Sequence, residues 1–488
     1  MDFFGNILGQ GKNVNPAIQQ GTAQFEAGNY GEAVKSFEKA LKVDPENGPI
    51  RRAMGEALAC LGRDDEAVDW LRKALESSPG DAGILRTLGH ALSRTGNYEE
   101  AAGCFATVIE DNPADTNASC WQGEMLERLG RYADAAAAYR RALEGNPEDG
   151  VLREKLGRML ERTGNYREAA VNFERILREN PDSTETLARK GNALLYQGNY
   201  PEAVDTFNKV LDKEPRNLDA LYGKALALEH TGRFQDAAGC YREIAAADPE
   251  NLPVRYRCGS LLLRAGDYAE AMECFDKVAL AAPDNIPVRY SMGLVYDTLG
   301  RYDRAVKSFD QILKHDQSQV QVWYVRGMAL FRLGQYAEAI RSFDRVLENQ
   351  AATGMKWIGS STDLALFEKD GSAAFEKSKP LKFDARSENV LNCRGIALLH
   401  LGRYAEAEED FERVLAADPG NAVVLQQSST ALLHLGRYDE ANHRLDAVLE
   451  KEPQNAVARL MKADILMNLG RYGDALAYLE QVPGAGDD

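Results

Sequence analysis

Residues able to do chemistry are few and scattered in this 488-residue chain. Of six histidines, His230, His400 and His434 stand at multiples of 34 residues. His400 and His434 can lie side by side if consecutive segments align. No carboxylate or cysteine cluster with ligand spacing accompanies them, so solvated histidines and no metal are expected. The seven cysteines, Cys60, Cys104, Cys120, Cys240, Cys258, Cys274 and Cys393, are odd in number and contain no CxxC pair. They read as buried free thiols rather than a disulfide framework. Gly5, Gly9 and Gly11 with Lys12 approach a phosphate loop only loosely, because Asn6 stands at the first glycine position and Asn13 at the Ser/Thr position. Ser36 and Lys39 have the Ser-x-x-Lys spacing of some acyl-transferring enzymes but lack the companion motifs. No catalytic residue and no cofactor is expected.

Residues suited to binding are more regular. Tyr222, Tyr256, Tyr290 and Tyr324 form a ladder with a step of 34, and Leu226, Leu263, Leu294, Met328 and Phe331 surround it. Ile396, Leu399, Leu433 and Met467 continue the apolar series. Tyrosine joins a large apolar face to a hydroxyl at low entropy cost, which suits gripping an extended peptide or a helix. The competing reading is that these side chains only pack between neighbouring helices. Earlier in the chain the corresponding positions are polar: Arg52, Glu56, Arg86, His90, Glu124, Glu154, Arg158 and Asn192, with Arg94, Arg128 and Arg162 as a second ladder. Mixed charge of this kind is a solvated face or a means of orienting a polar segment.

These residues must be positioned by elements that repeat. A glycine two residues before an aromatic recurs every 34 residues, as in Gly28 and Tyr30, Gly164 and Tyr166, Gly232 and Phe234, and Gly470 and Tyr472. Gly62 belongs to the series with Asp64 in the aromatic place, and one step, from Gly334 to Gly402, is double. Fourteen repeats thus run from Val14 onward, each numbered here in slots 1 to 34. Slot 20 is alanine in all fourteen, and slot 8 is Gly, Ala or Ser, which predicts close helix approach. A larger side chain at either slot is expected to cost roughly 1 to 3 kcal/mol. The slot 15 glycine sits where a helix must end in a left-handed residue. Before it, slots 4, 7 or 8, and 11 recur at helical spacing; after it, slots 20, 24, 27 and 28 do the same. Proline in slot 32 of ten repeats, Pro45 and Pro215 among them, stops the second helix. Each repeat is a predicted helical hairpin.

On this pattern the chain resembles the tetratricopeptide repeat (TPR) family. The resemblance implies an all-α fold, a right-handed superhelical solenoid of antiparallel helix hairpins whose first helices line a concave groove. It also implies contacts between neighbours only, and a role in binding protein. Slots 5, 9 and 12 are then the groove face. The family's clamp for chaperone C-termini uses lysine in slot 5 with asparagine in slot 9. Here Asn192 follows Ala188, so that specificity is not implied.

The expected organisation is an N-terminal cap segment at 1–13, ten repeats at 14–353, a degenerate eleventh repeat at 354–387, for which a hinge is the alternative reading, and three repeats at 388–488. The eleventh has Ser361, Glu368, Asp370, Lys377 and Pro380 in slots 8, 15, 17, 24 and 27, yet keeps Trp357, Leu364, Ala373 and Leu381. Phe3, Phe4, Ile7 and Leu8 are expected to dock on the first hairpin. Tyr478, Leu479 and Val482 on the last second helix are expected to be exposed, which makes a homo-oligomer through the C-terminal repeat one reading. With 58 basic against 75 acidic side chains the net charge is −17, which disfavours nucleic acid as a partner. No apolar run long enough for a membrane span and no secretory leader are present, so a cytoplasmic location is expected.

With the repeats filling the chain, the expected function is a non-catalytic scaffold that binds a peptide or helical segment of a protein partner. Its groove residues would be Tyr222, Tyr256, Tyr290, Tyr324, Leu226, Leu294, Met328, Phe331, Arg52, Arg86, Arg158 and Asn192. The alternatives are a self-assembling structural rod and a regulatory subunit that presents substrate to a separate enzyme.

Overall fold

Glycine decides where each repeat turns. In repeat six the helix Thr184–Gln197 ends at Gly198, whose φ is +87°, and whose N–H donates to the Leu194 and Leu195 carbonyls. A β-carbon is strained in that left-handed region, so glycine is the least costly residue there. The chain then re-enters a helix at Tyr200–Lys213, antiparallel to the first. The computed structural model describes residues 16–353, 359–360, 382–383 and 387–481. Among them, 26 helices from Pro16–Glu26 to Tyr472–Leu479 form hairpins, each turned by a glycine with φ between +70° and +87°. The fold is an all-α solenoid of such hairpins.

Most first helices start at a capping side chain in slot 34, a signal that the 34-residue pattern contains. Asp81 accepts hydrogen bonds from Gly83 N and Ile84 N, and Asn421 from Val424 N. These side chains satisfy backbone donors that no helical carbonyl reaches, a contribution of about 1 kcal/mol each.

Inside each hairpin the small residues have specific partners. The slot 20 alanines from Ala33 to Ala441, with the exception of Ala373 outside the described residues, are fully buried. The slot 8 glycines face the slot 24 side chain of the same repeat: a β-carbon on Gly157 would lie 2.6 Å from the Phe173 ring, and one on Gly327 2.6 Å from Phe343. The aromatic ring occupies the space that the missing side chain leaves, so slots 8 and 24 are one packing unit.

The chain divides into two compact parts, Met1–Ala227 and Leu228–Asp488. Within each, a helix packs on the helices before and after it, with a thinner contact between successive first helices.

Repeat eleven departs from expectation. The helix Tyr336–Thr353 of repeat ten packs directly on Ser387–His400 of repeat twelve, as second helices pack on the following first helices elsewhere. Arg394 binds both Asp344 of repeat ten and Asp410 of its own repeat, and His400 stacks on Tyr336 with ring centres 4.4 Å apart. Ile340 and Leu347 share an apolar cluster with Leu391 and Leu398. Repeats ten and twelve thus share a packed interface. Gly359 and Ser360, expected in a first helix, pair antiparallel with Phe383 and Lys382. The physical reason is in the sequence: Lys377 replaces the large apolar slot 24 side chain and Glu368 the turn glycine, both of which the other hairpins keep. The rest of 354–386, and the cap segment with Phe3, Phe4, Ile7 and Leu8, lie outside the described residues.

Candidate partner-binding site

The first helices of repeats six and seven, Thr184–Gln197 and Leu218–His230, border a cavity of about 520 Å³. Asn192, Tyr222 and Leu226, three of the expected groove residues, line it together. Tyr222 is 42% exposed, and Tyr196, which sequence reasoning missed, is 62% exposed and stacks on Tyr166 at 5.2 Å. The Asn192 side chain forms no hydrogen bond among the described residues. An amide there offers both a donor and an acceptor, the pair that an extended peptide backbone requires.

The charges of this cavity are mostly negative. Glu185, Glu214 and Asp219 line it against one cation, Arg189. Arg189 is already engaged, 3.5 Å from Glu161 and 3.3 Å from Glu185. Hydrogen bonds from Thr184 and Asn217 hold the Glu214 carboxyl below its ordinary range, so it stays anionic. Three residues in two slots produce this, slot 2 of both repeats and slot 31 of the sixth, and none is a residue that the hairpin needs for packing. That is the signal by which they could have been found.

The remaining tyrosines belong to Leu228–Asp488 and behave differently. Tyr324 is buried, 8% exposed, with its ring 6.4 Å from Phe343. Tyr256 and Tyr290 are half-buried, 5.9 and 6.0 Å from Phe275 and Phe309. The Tyr256 hydroxyl lies 3.4 Å from Ser291 Oγ of the next repeat. Leu294 is buried, and Met328 and Phe331 pack against the same apolar cluster. For Tyr324 and Leu294 the expectation of an open groove residue is corrected: both belong to an apolar cluster shared by repeats nine and ten, where burial is worth more than exposure.

The early arginines are also committed to the scaffold. Arg52 Nη1 donates to Asp81 at 2.9 Å and Arg52 Nε to Glu56 at 2.7 Å. Arg86 Nη2 donates to Asp115 at 2.7 Å. Asp81 and Asp115 are the caps of the following first helices, so each arginine balances a cap carboxylate. Arg158 lies 3.8 Å from Glu127.

Slot 13 has a rule that no single repeat reveals. Its side chain lies on slot 17 of the preceding hairpin: Arg94 on Asp64, Tyr196 on Tyr166, Arg264 4.0 Å from the Phe234 ring, and His434 stacked 4.3 Å from Tyr404. The expected neighbourhood of His400 and His434 is thus replaced by two separate ring stacks. The chemistry changes from ion pair to cation–π to stacking while the contact persists.

In the last helix, Tyr478 and Leu479 pack on Ala463 and Leu466 rather than standing exposed, whereas Leu476 is 56% exposed and Val482 lies outside the described residues. Among the described residues no group of three or more His, Cys, Asp or Glu is placed to hold a metal ion, and no helix is long and apolar enough to cross a membrane.

No curated protein sequence matches the chain significantly. The chain is similar to several solved structures. In the structure of Naa15/Naa10 bound to HypK-THB, the matched chain has 16% identity and a TM-score of 0.45, over 97% of this chain and 68% of that one. A tetratricopeptide repeat protein from Parabacteroides merdae is 18% identical over 51% of this chain and 98% of its own, with a TM-score of 0.34. YrrB, described as a TPR protein with an unusual peptide-binding site, is 22% identical over 40% of this chain and 97% of its own, with a TM-score of 0.33. One tetratricopeptide repeat profile matches residues 18–82, 86–150, 188–251 and 290–354, and another matches 126–190, 230–293, 398–451 and 432–488. With its hairpins and more than half of its length matched, the chain belongs to the tetratricopeptide repeat family.

Proposed function

We propose that this chain is a non-catalytic scaffold that holds a peptide or helical segment of a partner protein against the first helices of repeats six and seven. Tetratricopeptide repeats generally mediate protein–protein interaction. The observation that carries the specific reading is the cavity of about 520 Å³ in which exposed Tyr222 and the unengaged Asn192 amide meet. Tyr222 and Leu226 would bury an apolar anchor, Asn192 would fix the partner backbone, and Glu185, Glu214 and Asp219 would favour a segment with lysine or arginine. The other slot 5 tyrosines keep a supporting role in this reading.

A photo-crosslinking residue at position 222, compared with one at Val171 on a second helix, tests it in lysate of the source cell. Adducts with a discrete protein from 222 and none from 171, lost on Asn192→Ala and at raised salt, are the expected result. Equal adducts from both positions would remove the site.

A further inference from the structure

A second cavity, of about 320 Å³, opens in Leu228–Asp488 beside repeat eight. Its helices are Leu252–Ala265 and Tyr268–Ala281. Cys258 on the first and Cys274 on the second both line the cavity, and no other repeat has cysteine in both of these slots, 7 and 23. These slots face each other. In repeat twelve Arg394 in slot 7 binds Asp410 in slot 23 at 2.6 Å, and in repeat ten Arg326 donates to Ser342 Oγ at 2.7 Å. In repeat eight a β-carbon on Gly259, next to Cys258, would be 3.0 Å from Cys274 Cβ, which shows how closely the second helix presses there.

We propose that Cys258 and Cys274 are a redox-active dithiol, with Cys274 the attacking sulfur and Cys258 the resolving one, which a hydroperoxide converts to a disulfide within the eighth hairpin. Three features support the assignment of roles. Cys274 is half-buried and reached from the cavity, whereas Cys258 is 1% exposed and donates to the Ala238 carbonyl at 3.4 Å. The neighbouring Cys258 thiol lowers the Cys274 thiol against the opposing effect of burial, and Lys277, Arg242 and Arg255 assist. The same contact and burial hold the Cys258 proton in place. Glu270 and Glu273 also line the cavity, but Glu270 is paired with Arg242. Thiolate character with partial access in cationic surroundings is what marks a reactive cysteine.

The Cys274 thiolate would attack the distal peroxide oxygen, breaking the O–O bond to leave a sulfenic acid and an alkoxide or hydroxide that takes up a proton. Cys258 sulfur, losing its proton, would then attack the Cys274 sulfur and displace the hydroxyl group as water. Two thiols and one hydroperoxide become one disulfide, one alcohol or water, and one water. The two thiols are oxidised and the peroxide oxygen is reduced.

The test uses the reduced full chain with hydrogen peroxide, followed by digestion without reductant and mass spectrometry. A peptide linked through Cys258 and Cys274 and lighter by two hydrogens is expected. Iodoacetamide should label Cys274 at least about 100-fold faster than Cys104 at neutral pH, because burial pushes the Cys104 thiol up to about 11. In Cys258→Ser the Cys274 sulfenic acid should persist and be trapped by dimedone. The unaltered protein decides the matter even if that variant folds poorly: no linked peptide after peroxide, or Cys274 labelled no faster than Cys104, overturns the proposal.

Discussion

Gly157 shows how one missing side chain sets the spacing of two helices. With 2.6 Å between its notional β-carbon and the Phe173 ring, Gly157→Val must displace the ring or the backbone. The expected cost is about 2 kcal/mol, read as a lower unfolding midpoint in denaturant. Gly239 lies in the helix Phe234–Ala247 with nothing within 4 Å of a β-carbon. Gly239→Ala should stabilise by about 0.5 kcal/mol or more, since only helix propensity changes. The two glycines are alike in sequence and opposite in sign. Asp410, 1% exposed, is neutralised by Arg394 at 2.6 Å. Burial raises the Asp410 carboxyl and the guanidinium opposes that rise. Removing the cation in Arg394→Ala should therefore cost about 3 kcal/mol or more at neutral pH. A raised carboxyl destabilises the folded state as pH climbs past the unfolded value, so the defect should shrink below about pH 4, and equilibrium unfolding across pH would show whether it does.

At the scale of the element, turn and insertion carry separate predictions. Gly198→Ala places a β-carbon at φ +87° and should cost about 1 kcal/mol by thermal unfolding, with the hairpin retained. Repeats ten and twelve pack directly on each other. Replacing 354–386 by a linker like the one between Lys213 and Leu218 should leave the helical circular dichroism per residue of the remaining chain and its unfolding midpoint nearly unchanged. A large loss of stability would mean that the segment contributes core contacts. The composition of that segment was legible as divergent, because Lys377, Glu368 and Pro380 occupy slots with strict demands. The direct packing of the flanking repeats was not legible, because it depends on the faces of those helices and not on the intervening residues.

In the whole molecule each described helix makes its contacts with sequence neighbours, within each of the two compact parts. Damage should therefore stay local. In hydrogen exchange, Gly157→Val should lose amide protection in repeats four to six while repeats twelve and thirteen keep theirs. Uniform loss along the chain would contradict a nearest-neighbour solenoid. The net charge of −17 agrees with a partner segment that carries positive charge, and capture of that partner should weaken as salt rises.

The sequence by itself determined the hairpin, its period and its turns, because glycine at a left-handed position and alanine at a close contact leave no other residue equally suitable. Tertiary structure alone decided which of the recurring side chains face solvent. Slot 5 is the same tyrosine in four successive repeats, yet Tyr222 is open and Tyr324 is buried. A position on a helix face fixes direction, whereas exposure depends on what the neighbouring hairpin brings against it.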